Sequence, residues 1–112
     1  MSIPTFVIST SADSQLYFTL RAANNEVILT SETYTSASSV RTGTESVRTH
    51  APYATNSVKH TSRTGEPYFV LRAVNHEVVG TSEMYSSAQA RDTGIEAVQR
   101  AAPSAEVVHT RG

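Results

Sequence analysis

The chain has 112 residues, 38% of them hydrophobic, and a formal charge of -1, which fits one soluble domain and not a disordered or fibrous chain. It has no cysteine, which excludes disulfide frameworks, thiolate catalysis and cysteine-based zinc sites. Nine Lys plus Arg against ten Asp plus Glu leave no basic excess to neutralise phosphates, so nucleic acid is disfavoured as a partner.

The N-terminus, Met-Ser-Ile-Pro-Thr-Phe, lacks the basic start and apolar run of a secretory signal. No segment approaches the roughly 20 apolar residues of a membrane span, so a cytoplasmic protein without a membrane partner is expected. Shifting the sequence against itself by 51 positions superposes Tyr17–Ala37 on Tyr68–Ala88, and about twenty of the 36 positions from Tyr17 to Pro52 are identical. The chain is a tandem duplication, with repeat 1 over about residues 5–56 and repeat 2 over about 57–110 of a single domain spanning 1–112.

The elements follow in order within each copy. Phe6 to Thr10 forms a first strand and turns at Asp13-Ser14; Val58 to Thr61 does the same with a turn at Thr64-Gly65. Phe18, Leu20 and Ala22 then alternate with Tyr17, Thr19 and Arg21, as Phe69, Leu71 and Ala73 do in copy two, a period of two that predicts a strand. Asn24-Asn25 and Asn75-His76 predict two-residue hairpin turns, which would set Ala22 opposite Val27 and Leu20 opposite Leu29. Gly80 replaces Leu29 in copy two, so a larger side chain from a helix is expected to fill the space opposite Leu71.

Next come spacings of three and four: Ala37, Val40, Thr44, Val47 and Ala51, then Ala88, Arg91, Ile95, Val98 and Ala102. These predict helices near Ala37 to His50 and Ala88 to Ala101, capped by Ser36 and Ser87 and ended by Ala51-Pro52 and Ala102-Pro103. Gly43 and Gly94 fall mid-helix at a cost of about 1 kcal/mol each relative to alanine, which predicts close approach of the sheet or the partner helix. A final strand, Ala105 to Thr110, follows the second helix. Fifty residues bury too little surface to fold alone, so the copies are expected to share a core. The fold class is α+β: two β-β-β-α units and a C-terminal strand, one antiparallel sheet with both helices on one face, and an approximate two-fold axis.

The strings YFxLRAxNxEV, TSExY and TGIEAV resemble the YegP family of small bacterial proteins of unknown function, over nearly the whole chain from Phe6 to Thr110. The resemblance implies a sheet of strand-strand-strand-helix-strand units with C-terminal strands exchanged between halves. Asn25 and His76 depart from it, standing where glycine is usual at the hairpin tips. It implies no activity, cofactor or catalytic residue.

Tyr17, Thr19, Arg21, Ile28 and Thr30, with Tyr68, Val70, Arg72, Val79 and Thr81, are expected to project from the helix-free face. There Tyr17, Arg21, Tyr68 and Arg72 would form an aromatic and cationic platform, unless the face is merely solvated. Glu32 and Glu83, each two residues before a tyrosine, would either pair across the two-fold axis or serve the nearby helix N-termini. The histidines at 50, 60, 76 and 109 lack metal-ligand spacing, so no metal is expected, and no hydrolase elbow, phosphate loop or dinucleotide turn is present. No cofactor and no catalytic residue are expected. The leading functional reading is a non-enzymatic interaction or ligand-binding module, monomeric because one chain carries both halves, acting through the open face or its edges. One alternative is a small-molecule binder or enzyme with its site between the repeats near Glu32 and Glu83. Another is a weak nucleic-acid binder through the open face.

Overall fold

The computed structural model describes residues 3–110. In chain order these form β1 (Thr5–Thr10), β2 (Leu16–Arg21), β3 (Val27–Thr30), α1 (Ala37–His50), β4 (Ser57–Thr61), β5 (Pro67–Arg72), β6 (Val78–Thr81), α2 (Ala88–Ala101) and β7 (Glu106–His109). Short 3-10 turns over Ala54–Asn56 and Ala102–Ser104 lead into β4 and β7. Among the described residues no helix is long and apolar enough to cross a membrane.

One sheet holds all seven strands in the order β4-β5-β6-β3-β2-β1-β7. Its seam is the antiparallel pair Thr30 and Thr81, where the two repeats meet about the pseudo-two-fold axis. The expected wholly antiparallel sheet is corrected at one edge, since β7 lies parallel to β1. α2 carries the chain from β6 over the sheet to the far side of repeat 1, so β7 meets β1 without a hairpin, which would have forced the two antiparallel. The C-terminal strand of repeat 2 thus completes repeat 1.

Both helices pack on the face that carries Phe18, Leu20, Phe69 and Leu71, all fully buried. Each such side chain removed from water contributes about 1.5–3 kcal/mol. α1 rests on β2 of its own repeat and on β5 and β6 of the other; α2 rests on β5 and on β2 and β3. Neither repeat owns a core. Arg48 fastens the halves further: its guanidinium donates to the carbonyls of Ala102 (3.3 Å) and Pro103 (3.1 Å) and lies 5.4 Å from the Phe6 ring centre. Ser36 and Ser87 cap the helices by accepting from the amides of Ser39 (3.1 Å) and Ala90 (3.0 Å). Ala37 and Ala88, expected on the buried stripes, are exposed; burial begins at Val40 on α1 and with partly buried Ala90 and Arg91 on α2.

The hairpins differ from expectation in a way that moves side chains. The amide of Asn25 donates to the carbonyl of Ala22 (2.8 Å), and the amide of Ala22 to the carbonyl of Glu26 (2.9 Å), with φ positive at Asn25 and not at Asn24. The turn is therefore centred on Ala23-Asn24, with a bulge at Asn25-Glu26, and His76 takes the equivalent place in repeat 2. Leu20 does face Leu29, but Arg21 and not Ala22 faces Val27, so the register slips by one between them. Ile28 and Val79 consequently turn to the helix side and join the core instead of lying on the open face.

Three glycines are occupied by neighbours. A Cβ at Gly80 would stand 2.6 Å from Leu29 Cδ2, so Leu29 of the other repeat, and no helical residue, fills the space opposite Leu71. A Cβ at Gly43 or Gly94 would meet first the phenol of Tyr34 or Tyr85, with Cζ at 2.7 and 2.6 Å, and not the partner helix; the expected approach of the sheet holds at Gly43, where Phe18 Cε2 of β2 would lie at 3.0 Å.

Candidate functional site

The shared string Thr-Ser-Glu-x-Tyr builds the same corner twice. Ser31 Oγ accepts from the Phe18 amide (2.8 Å) and donates to the Glu32 carbonyl (2.7 Å), and Ser82 does the same with Phe69 (3.0 Å) and Glu83 (2.8 Å). These buried hydroxyls complete the ladder where the chain leaves the sheet. The tyrosine is then drawn back under the helix: Tyr34 and Leu16 exchange backbone hydrogen bonds of 2.7 and 2.8 Å, and Tyr85 donates its amide to Pro67 (2.9 Å). The rings stack on Phe18 and Phe69 at 6.4 Å and end against the glycines of the helices.

Each tyrosine forms the wall of a cleft between the repeats. In the first, about 700 Å³, Tyr85, Glu83, Ala90, Gly94 and Ala97 of repeat 2 face Glu26 and Ile28 of repeat 1. In the second, about 380 Å³, Tyr34, Ser39, Thr42 and Ser46 of repeat 1 face Glu77 and Val79 of repeat 2. Burial, and then the charges of Glu83 and Glu26, raise the Tyr85 pKa above its ordinary 10.0. Burial, Glu32 and Glu77 do the same at Tyr34. Both hydroxyls therefore stay protonated through neutral pH, in negative potential.

Of the two readings of Glu32 and Glu83, the carboxylate pair across the two-fold axis does not form. Counting outward from Thr30 and Thr81, the two glutamates leave the seam in opposite directions, about 13 Å apart along the strands. The charge of each instead reaches its own tyrosine, as does that of a hairpin glutamate of the other repeat: Glu32 and Glu77 at Tyr34, Glu83 and Glu26 at Tyr85. Glu26 and Glu77 are the residues that sequence reasoning passed over. Their identity in both copies was the available signal, but their meeting with a tyrosine of the other copy depends on the seam register.

The open face is brought together only loosely. The registers place Val108, Val7, Thr19, Thr30, Thr81, Val70 and Val58 in one row across all seven strands. Tyr17 and Arg72 flank it at one end, Arg21 and Tyr68 at the other. Tyr68 stacks with His60 at 5.5 Å. Arg21 donates to Thr19 Oγ1 and Asn25 Oδ1, both at 3.4 Å. Val70 and His76 stand in those places in repeat 2, and Arg72 Nε is buried with no hydrogen-bond partner. His50 is engaged with Ser46, and His109 lies 3.5 Å from Arg41. Among the described residues no three His, Asp or Glu side chains gather to hold a metal.

A family model described as a domain of unknown function (DUF1508) matches residues 11–57 and again 62–108. The chain is 47% identical over 93 residues to a UPF0339 protein of Shewanella oneidensis, covering 83% of this chain and 84% of that one. It is 47% identical over 94 residues to the UPF0339 protein YegP of Escherichia coli K12, covering 84% and 86%. The solution NMR structure of yegP from E. coli, a protein of unknown function, superposes with a TM-score of 0.92 at 42% identity, covering 100% of this chain and 97% of that one. A second NMR structure, of a UPF0339 protein from S. oneidensis, gives 0.88 at 42% identity, covering 97% and 92%. With two tandem matches and this degree of identity, the chain belongs to the YegP family of UPF0339 proteins, built from paired DUF1508 units.

Proposed function

We propose that the protein is a cytoplasmic, monomeric, non-enzymatic binding module whose twin clefts take organic ammonium cations. The observation that carries this reading is the recurrence of a tyrosine facing a hairpin glutamate of the other repeat across each cleft, Tyr85 with Glu26 and Tyr34 with Glu77; Glu83 also lines the first cleft, whereas Glu32 adds only its nearby charge at the second. Burial first, and then the negative potential of the carboxylates, holds the phenol protonated; that potential also attracts a cation, to which an aromatic ring can offer its face. A protonated tyrosine without a base is poor acid-base machinery at neutral pH, which favours binding over catalysis. Because the carboxylates are exposed, affinity is weak, with a Kd on the order of a millimolar.

The linings make the clefts unequal. Thr93 and Gly94 in one cleft match Thr42 and Gly43 in the other, but Ala90 and Ala97 suit an apolar substituent where Ser39 and Ser46 suit a small hydrated one. The test uses cations of fixed charge, so that the ligand does not titrate. Phenyltrimethylammonium should shift amides around Tyr85 first, tetramethylammonium those around Tyr34, and each should lower the pH at which that tyrosine ionises. Glu26→Gln with Glu83→Gln should abolish the response at Tyr85 alone. Tyrosine titration and amide spectra that ignore both cations would end this reading. Sedimentation should show one species near 12.1 kDa.

A further inference from the structure

The net charge near zero conceals a segregation. None of the ten carboxylates occupies a strand position from β1 to β6: Asp13, Glu26, Glu66 and Glu77 lie in turns, Glu32 and Glu83 follow strands, Glu45, Asp92 and Glu96 are helical, and Glu106 is on β7. The open-face positions of those six strands are aromatic, hydroxylated, aliphatic or cationic.

Their arrangement is regular. β2 and β5 are separated by β3 and β6, three strand spacings or about 14 Å, and Tyr17 and Arg21 are four residues apart along β2, also about 14 Å. Because β2 and β5 run in opposite directions, tyrosine and arginine alternate around the corners of this square. Thr19, Thr30 and Thr81 form its hydroxyl-bearing floor, and His60 widens the Tyr68 corner into a two-ring ledge. The Arg72 guanidinium lacks the two side-chain partners that hold Arg21, and its Nε lies buried and unpaired among the described residues.

We infer that this face docks single-stranded nucleic acid, with bases stacked on Tyr17 and Tyr68 and phosphates met by Arg21 and Arg72. Alternating aromatic and guanidinium groups on six strands free of carboxylates, with Glu106 of β7 two strands beyond the Arg21 corner, provide both parts of such a site, a stacking surface and an electrostatic one. Two phosphate contacts make the binding weak and set its salt dependence, a slope of about -1.4 in log-log form for a single strand. Affinity should therefore fall about 25-fold between 20 and 200 mM salt.

The test is fluorescence anisotropy of a labelled twelve-residue thymidine or uridine oligonucleotide, with amide shifts to map the contact. Binding at 20 mM salt should place its shifts on β2, β5 and β4. Arg21→Gln with Arg72→Gln should flatten the salt dependence and weaken binding at least tenfold. Tyr17→Leu with Tyr68→Leu should weaken it at least tenfold while leaving the salt slope in place. Arg100→Gln, on the exposed side of α2, should change nothing, and each variant's amide spectrum verifies its fold. Absence of binding with protein at about 0.5 mM, or shifts confined to the helices, would overturn the inference. A tyrosine pair that matters no more than Arg100 would also overturn it. Neither result bears on the ammonium clefts, which open on the other side of the sheet.

Discussion

The two repeats share a backbone plan, yet at the seam they cannot share a sequence. Leu29 and Gly80 are equivalent positions brought side by side by the pseudo-two-fold axis, and the Leu29 side chain fills the space that a side chain at 80 would need. Two leucines would collide there, and two glycines would leave a hole under the helices. Duplication gives a protein identical halves, and close packing at the axis then forces them apart. The same divergence appears further out, where Ala90 and Ala97 of the Tyr85 cleft stand at the positions of Ser39 and Ser46 in the Tyr34 cleft.

The sharpest way to break this comparison is to exchange the two seam residues. Gly80→Leu alone should cost about 3 kcal/mol or more from overpacking, and Leu29→Gly about 2–5 kcal/mol from the cavity it leaves. The double swap should recover most of the loss, a strongly favourable coupling in denaturant unfolding. If the losses simply added, the seam would not be a single shared volume.

A smaller effect separates the helix glycines. Alanine at Gly43 would press on Tyr34 and approach Phe18 Cε2 to 3.0 Å, whereas at Gly94 the near atoms all belong to Tyr85. Phe18 is fully buried and cannot yield, while Tyr85 is half-buried and can swing outward. Gly43→Ala should therefore destabilise by about 1–3 kcal/mol and Gly94→Ala by less, although helix propensity favours both changes by about 1 kcal/mol. Gly94→Leu should remain clearly destabilising, and pairing Gly94→Ala with Tyr85→Leu should relieve its cost. Equal thermal shifts for the two alanine variants would show that Phe18 plays no part.

Element identity, helix caps and the shared core were legible because each rests on local signals: alternation at Phe18 and Leu20, serine before the helices, proline after them. What escaped was set by pairing between distant residues. One extra residue in each hairpin, invisible to a count of alternation, turned Ile28 and Val79 from the open face to the core. A glycine in mid-helix signals a close contact, but the first group met is a tyrosine of the same repeat, joined only at Gly43 by Phe18 of the sheet. Glu32 and Glu83 were singled out for their own spacing to a tyrosine, while the partners that complete each cleft, Glu77 and Glu26, come from the other copy. Tyr17, Arg21, Tyr68 and Arg72 follow from alternation alone, and the registers place them on the open face as expected.

The least effect is expected at the hairpin tips, where all four turns demand a left-handed residue and only one has glycine. The positive-φ positions are Ser14 (68°), Asn25 (71°), Gly65 (87°) and His76 (67°). An L-residue in this region typically costs about 1–2 kcal/mol, less for asparagine, whose short amide tolerates it. Part of that cost returns when glycine replaces the residue, because glycine loses more backbone entropy on folding. His76→Gly and Ser14→Gly should therefore stabilise by about 0.5–1 kcal/mol. Asn25→Gly should be near neutral, because Asn25 Oδ1 also accepts from Arg21 and that bond would be lost. The order of the three melting shifts is the measurement. If Asn25→Gly gained as much as His76→Gly, the Arg21–Asn25 contact would contribute nothing to stability, and the Thr19 bond alone would distinguish Arg21 from Arg72.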